Sequence, residues 1–181
     1  MKIEITENIQ LKQIQSEDAS ALFEIIDSER EFLGQWLPFV PLTKVVSDTE
    51  AYVLSLVNAP LTNFEYVFTI WESEKIIGLI GFIRSDTHNK KTEIGYWMSQ
   101  YALGKGIMTK CVKALCHFAF EELDMNRIQI KCAIGNTPSS NIPKRLGFYF
   151  EGIERDGEIY AQNTFRDLEV YSLLKNDFYT I

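Results

Sequence analysis

Apolar positions change their spacing several times along the chain, and each change marks a candidate element. Ile9 and Leu11 alternate with polar neighbours and Ile14 follows, the pattern of a short first strand. Ser16, Glu17 and Asp18 then offer a cap residue and acids for a first helical turn. Ala21, Leu22, Ile25 and Ile26 continue at helical spacing. Residues 32–39, Phe-Leu-Gly-Gln-Trp-Leu-Pro-Phe, are aromatic and broken by glycine and proline, which reads as a loop or short turn able to line a pocket. Ser47 with Glu50 three residues later has the form of a capping box and opens a second helix.

Residues 65–71 and 76–84 are β-rich runs joined by the polar stretch 72–75, which predicts a hairpin. Residues 92–98 form a third such run after a polar turn at 86–91. From Gly106 to Leu123 the period becomes helical, with Cys111, Val112, Leu115, Phe118 and Ala119 on one side. Residues 127–133 alternate again through Ile128, Ile130 and Cys132. A short helix over 139–146 should stop at Gly147, and strands near 149–153 and 167–174 close the chain. This order predicts a mixed α/β sheet, with 1–181 as a single domain.

Composition narrows the class. The longest apolar run, residues 76–83, falls far short of the ~20 residues that a membrane helix needs. The opening Met1-Lys2-Ile3-Glu4 lacks a secretory pattern. Cys111, Cys116 and Cys132 are odd in number and have no CxxC spacing, so reduced thiols and a cytoplasmic location are expected, without a metal. The net charge of −7 and the lack of a basic tract argue against nucleic acid and suit a cationic partner such as an amine.

Two motifs carry chemistry. The first is Tyr101-Ala-Leu-Gly104-Lys105-Gly106-Ile107-Met108-Thr109, between a strand and a helix. Its glycines let backbone approach a ligand, and the helix start offers free N–H groups to a pyrophosphate. It is no P-loop, because Gly106 follows Lys105, and Thr109 stands where a dinucleotide fold needs a third glycine. Alone, the turn reads equally as an ordinary flexible helix start. The second motif, Asn136-Thr-Pro-Ser139-Ser-Asn-Ile-Pro143-Lys-Arg-Leu-Gly147-Phe148, follows a strand.

Together these motifs resemble the GCN5-related N-acetyltransferases, whose coenzyme-A loop is (Q/R)xxGx(G/A) and in which Asn-x-x-Ser/Ala leads to a helix closing in Gly-Phe. Tyr101 replaces the Gln/Arg of that loop. Within the family the chain resembles the RimJ/RimL type, which acetylates ribosomal-protein N-termini. Thr92 to Met98 looks like its central strand, and Phe118 to Leu123 with Asn126-Arg127 like its helix end.

The resemblance implies an α/β (α+β) fold: a mostly antiparallel sheet of about seven strands, with a splayed central pair and helices on both faces. It implies acetyl-CoA as co-substrate, held at Met98, Gly104, Lys105, Gly106, Ile107, Met108, Thr109, Asn136 and Ser139. It also implies a primary amine as acceptor, beside Trp36, Glu93 and Tyr160, and a possible homodimer. Many relatives place a tyrosine acid four residues before the Gly-Phe glycine, and Pro143 stands there. The Rim-type pattern instead makes Ser139 the proton donor and, counted without gaps, Glu158 the base, with Glu93 the rival. From the residues alone, Ser139 reads equally as a helix cap and Glu158 as a solvated loop charge. His88 and His117 read as surface or packing residues. The acceptor is either a protein N-terminus or a small amine such as a polyamine or aminoglycoside; a coenzyme-A-binding sensor without turnover is the reading from another class.

Overall fold

The computed structural model describes residues 1–60, 65–160 and 164–180. Eight strands form one open sheet in the order β1-β2-β3-β4-β5-β6-β8-β7. Two compact units share the chain: Met1–Gly81 with Tyr96–Ile107, and Phe82–Gly95 with the chain from Met108 onward.

The first unit contains β1 (Lys2–Thr6), β2 (Ile9–Gln13), β3 (Val67–Glu72) and the start of β4 (Lys75–Asp86), which pair antiparallel in sequence order. β1 is the strand beyond the expected seven. Its Ile3 and Ile5 are only half-buried, so its apolar signal is weak. Three helices follow β2: α1 (Ala19–Ser28), α2 (Arg30–Leu33) and α3 (Val46–Val57). Ile14, Ala19, Leu22, Val53, Val67 and Leu79 form one core cluster, and Ile26, Leu33 and Val40 a second. Each buried aliphatic side chain contributes about 1.5–3 kcal/mol. Gly78 of β4 is required by close approach: a Cβ there would lie 2.4 Å from the Trp97 carbonyl oxygen and 2.8 Å from Met98 Cα.

Both predicted caps shift toward the N-terminus. Ser16 does not cap the first helix. The Asp18 carboxylate accepts from the Gln15 N–H at 3.0 Å, and a 3-10 turn at Ser16–Asp18 precedes α1. Asp48, not Ser47, closes the entry to α3, accepting from the N–H groups of Lys44 and Val45 at 2.8 and 3.1 Å. Asp48, reaching back three residues to Val45, takes the part expected of Glu50, two residues earlier along the chain. The aromatic stretch 32–39 begins inside α2 rather than in a loop.

The second unit contains the end of β4, the start of β5 (Lys91–Met98), α4 (Ile107–Glu121) after its first residue, β6 (Arg127–Ala133), α5 (Thr137–Arg145), β7 (Tyr149–Ile159), β8 (Phe165–Leu174) and α6 (Lys175–Phe178). Cys111, Val112, Leu115, Cys116 and Ala119 of α4 are wholly buried at helical spacing. Phe118 is half-buried and stacks on Phe82 at 6.2 Å. Lys175 Nζ donates to the Phe120 carbonyl at 2.6 Å and so satisfies an end group of α4. The three cysteines are buried and form no disulfide; burial pushes Cys111 up to about 12 and Cys116 higher still. β5 and β6 are parallel, and their ladder joins Lys91–Glu93 to Arg127–Gln129 and stops there, although both strands run on. β6 pairs with β8 over its whole length, and β8 with β7, both antiparallel.

Three elements differ from expectation here, β8 among them, which starts at Phe165, two residues early. α5 starts at Thr137 instead of Ser139. β7 runs to Ile159, six residues past the expected end at Ile153, because a bulge keeps it paired with β8. Between the pairs Glu154↔Leu168 and Glu158↔Arg166, β7 spends four residues where β8 spends two. Asp156 sits inside that bulge with φ 50°, its N–H donating to Asp167 Oδ1 at 2.8 Å.

Candidate functional site

The turn before α4 is built by backbone. Gly104 and Gly106 hold φ of +76° and +71°, a region that costs an L-residue about 1–2 kcal/mol. A Cβ built on either would meet nothing within 4 Å, so conformation and not crowding within the protein calls for glycine. α4 begins at Ile107, so Ile107, Met108 and Thr109 fall among the first four N–H groups, which have no intrahelical acceptor. Such an end favours an anion. Lys105 Nζ lies 3.2 and 3.4 Å from the two Glu72 carboxylate oxygens and 5.4 Å from the Tyr101 ring centre. Upstream, the Glu29 carboxylate accepts from the Ser99 hydroxyl and, at 2.7 Å, from the Gln100 N–H, tying the approach to the turn to the end of α1. Met98 is buried at the end of β5.

α5 resolves the two readings of Ser139 in one respect. The N-cap is Asn136, whose Oδ1 accepts from the Ser139 N–H at 3.2 Å. Ser139 is therefore the third residue of the helix and is not its cap. Its hydroxyl lies 3.2 Å from Cys132 Sγ. Pro143 is buried inside α5.

The richest electrostatics lie on one face of the second unit's sheet. Residues along β6 alternate: Ile128, Ile130 and Cys132 are buried on one face, and Gln129 and Lys131 point to the other. Ladder partners share a face, which places Glu93 beside Gln129 and Glu158 beside Arg166. Glu93, with a side chain only 13% exposed, accepts from Gln129 Nε2 at 3.3 Å and lies 4.0 Å from both Arg84 and Lys131. Arg84 adopts φ 54° in β4, a conformation costly for a non-glycine residue. Lys131 also pairs with Glu154 at 2.6 Å.

Glu158 differs. It is half-buried, and no hydrogen bond or ion pair joins its carboxylate to another described residue. Burial raises its carboxyl above the ordinary value; Arg166 and then Arg84 pull it down, and Glu93 pushes it up. Arg166 lies over the Tyr160 ring, 3.3 Å from its centre.

The structure thus groups Glu158, Glu93 and Tyr160 with Arg84, Lys131, Glu154 and Arg166. The Ser139 hydroxyl contacts Cys132, beyond the charged group on β6. Trp36 belongs to the first unit, half-buried in the turn after α2. His117 packs edge-on against Phe178 at 4.5 Å. Sequence reasoning missed Lys131, Arg84, Arg166, Glu154 and Glu29. The alternation of Arg127, Gln129 and Lys131 with Ile128, Ile130 and Cys132 was the available signal for Lys131. Among the described residues no helix is long and apolar enough to cross a membrane.

Comparison with known proteins gives a consistent picture. The family model for the acetyltransferase (GNAT) domain matches residues 8–149. A putative ribosomal N-acetyltransferase, YdaF, of Bacillus subtilis (strain 168) is 34% identical over 96% of this chain and 95% of its own. The ribosomal-protein-serine acetyltransferase of Escherichia coli (strain K12) is 27% identical over 94% of each chain. A solved structure of RimL, a ribosomal L7/L12 α-N-protein acetyltransferase in complex with coenzyme A, superposes with a TM-score of 0.91 at 22% identity, covering 98% of this chain and 99% of that one.

Proposed function

This chain belongs to the GNAT acetyltransferase family, and from that premise we propose that it transfers acetyl from acetyl-CoA to a protein N-terminal α-amine, with Glu158 as general base and Ser139 as proton donor. The observation that carries the catalytic part is Glu158 itself. It is a half-buried carboxylate whose lone pairs are not engaged by another described residue, on a face where Glu93 is tied to Gln129 and flanked by two cations. The names of the relatives support the acceptor: two of them are ribosomal acetyltransferases matching almost the whole chain. The whole of 1–181 is read as one transferase domain working in the cytoplasm, without a metal.

The turn at Gly104–Thr109 fits a pyrophosphate, because its left-handed glycines and the start of α4 present backbone N–H groups without a side chain in the way. Asn136 and Ser139 hold the start of α5, and the β5 backbone near Met98 is read as a partner for the pantetheine amides. In the reaction the amine nitrogen attacks the thioester carbon and loses a proton to the Glu158 carboxylate, directly or through water. The C–S bond then breaks, and the thiolate takes the Ser139 hydroxyl proton. Solvent returns that proton to Ser139 and removes the other from Glu158. Burial raises the Glu158 carboxyl above the ordinary value, which makes it a stronger proton acceptor than an exposed glutamate.

A thiol-release assay with acetyl-CoA tests the acceptor. Peptides beginning in serine or alanine should turn over with a larger kcat/KM than spermidine or an aminoglycoside. The reverse order would move the assignment to a small-amine acetyltransferase. Binding of acetyl-CoA without turnover on any acceptor would point to a sensor.

A further inference from the structure

The second unit holds a cation that the proposed chemistry does not yet use. Arg166 sits directly opposite Glu158 in the β7–β8 ladder, and its guanidinium lies 3.3 Å from the centre of the Tyr160 ring. A guanidinium stacked on an aromatic face is restrained in orientation while remaining charged. Tyr160 follows the last residue of β7, two residues beyond Glu158, and its N–H donates to the Thr164 carbonyl at 2.6 Å, which brings ring and cation together.

We propose that Arg166, held over the Tyr160 ring, is the positioning residue whose charge, opposite Glu158 in the ladder, keeps Glu158 ionised for proton acceptance. This rests on Glu158 being the base. The charges facing Glu158 are Arg166 from β8, Arg84 from β4 and Glu93 from β5; Lys131 of β6 and Glu154 of β7 lie on the same face. Among the attractive partners Arg166 acts most strongly and Arg84 second. Arg84 has a side chain 75% exposed, so water screens it, whereas Arg166 is half-buried. Lys131 is already paired with Glu154. Burial raises the Glu158 carboxyl, and Arg166 opposes that effect.

The sign follows from these charges. Without Arg166 the carboxyl titrates at higher pH, so the base is lost first on the acidic side. Steady-state kinetics of Arg166→Gln, Arg166→Lys and Tyr160→Ala would be run from pH 6 to 9 with acetyl-CoA and the fastest acceptor among the serine and alanine peptides and spermidine. The ratio of variant to wild-type kcat/KM cancels the titration of the acceptor amine. For Arg166→Gln this ratio should fall by roughly 3-fold or more from pH 9 to pH 6. For Arg166→Lys, which keeps the charge, it should fall less. Tyr160→Ala should act in the same direction as Arg166→Gln with smaller size. In a Glu158→Gln background, Arg166→Gln should add no pH dependence.

Melting curves separate these effects from unfolding, and Arg166→Lys keeps the test available if Arg166→Gln is unstable. A flat ratio for Arg166→Gln, with Glu158→Gln strongly impaired, overturns the role of Arg166 and leaves the base in place. Near-normal activity in Glu158→Gln overturns the base itself, and the role of Arg166 falls with it.

Discussion

The turn at Gly104–Thr109 and the charged face around Glu158 use different parts of the chain. The turn works with backbone: two left-handed glycines and the first N–H groups of a helix, nearly independent of the side chains around them. The face works with side chains that five strands bring together, and its properties depend on how those charges balance. A backbone site tolerates changes in neighbouring side chains, Tyr101 included, because its donors belong to every residue. A side-chain site is sensitive at each position, because removing one charge changes the titration of the others.

The largest expected effect lies on the charged face. Glu158→Gln keeps size and hydrogen-bonding capacity and cannot accept the proton, so kcat/KM should drop by roughly 10²–10⁴-fold. The deficit should shrink toward high pH, where more acceptor amine is already neutral. Glu93→Gln should cost less than about 10-fold, since Glu93 is occupied by Gln129 and flanked by Arg84 and Lys131. Steady-state kinetics of both variants would decide between them; a larger loss at Glu93 would move the base to β5.

A smaller effect is expected in the turn. Gly106→Glu forces an L-residue to φ +71° and places a negative charge where the anion is read to sit. Calorimetry on the folded variant should find acetyl-CoA affinity reduced at least about 10-fold, while Lys105→Ala, which loses a side chain paired with Glu72, should change it less. Unchanged affinity in Gly106→Glu would remove the pyrophosphate from this turn.

The smallest effect separates cap from chemistry in α5. Asn136→Ala removes the N-cap acceptor and should cost about 1 kcal/mol of stability in denaturant unfolding. Ser139→Ala removes only a hydroxyl beside Cys132 and should stay within about 0.5 kcal/mol of wild type while slowing turnover. Equal destabilisation of the two would return Ser139 to the cap.

The turn was legible in the sequence because its chemistry is local. Gly-Lys-Gly before an apolar helix can be read from neighbours alone, and β6 appears with its expected limits. Ser139 was misread as a possible cap because Ser and Asn are both good caps and lie three residues apart; only the geometry decides for Asn136. β1 was missed because its strand pattern is half-exposed. The partners of Glu158 and Glu93 were not legible because they come from β4, β6 and β8, far apart in sequence and adjacent only through the ladders. Arg84, Lys131 and Arg166 look like ordinary surface cations until the register is known.

The bulge in β7 makes the address of Glu158 a matter of insertion and deletion. Its two surplus residues are what bring position 158, instead of 156, opposite Arg166. A homologous strand without them would carry the carboxylate that faces this arginine two places earlier, at the position occupied here by Asp156. Removal of a single residue would turn the following side chains to the other face. Transfer of the proposed base between relatives by counting from the Asn-x-x-Ser motif therefore holds only where this local indel is shared.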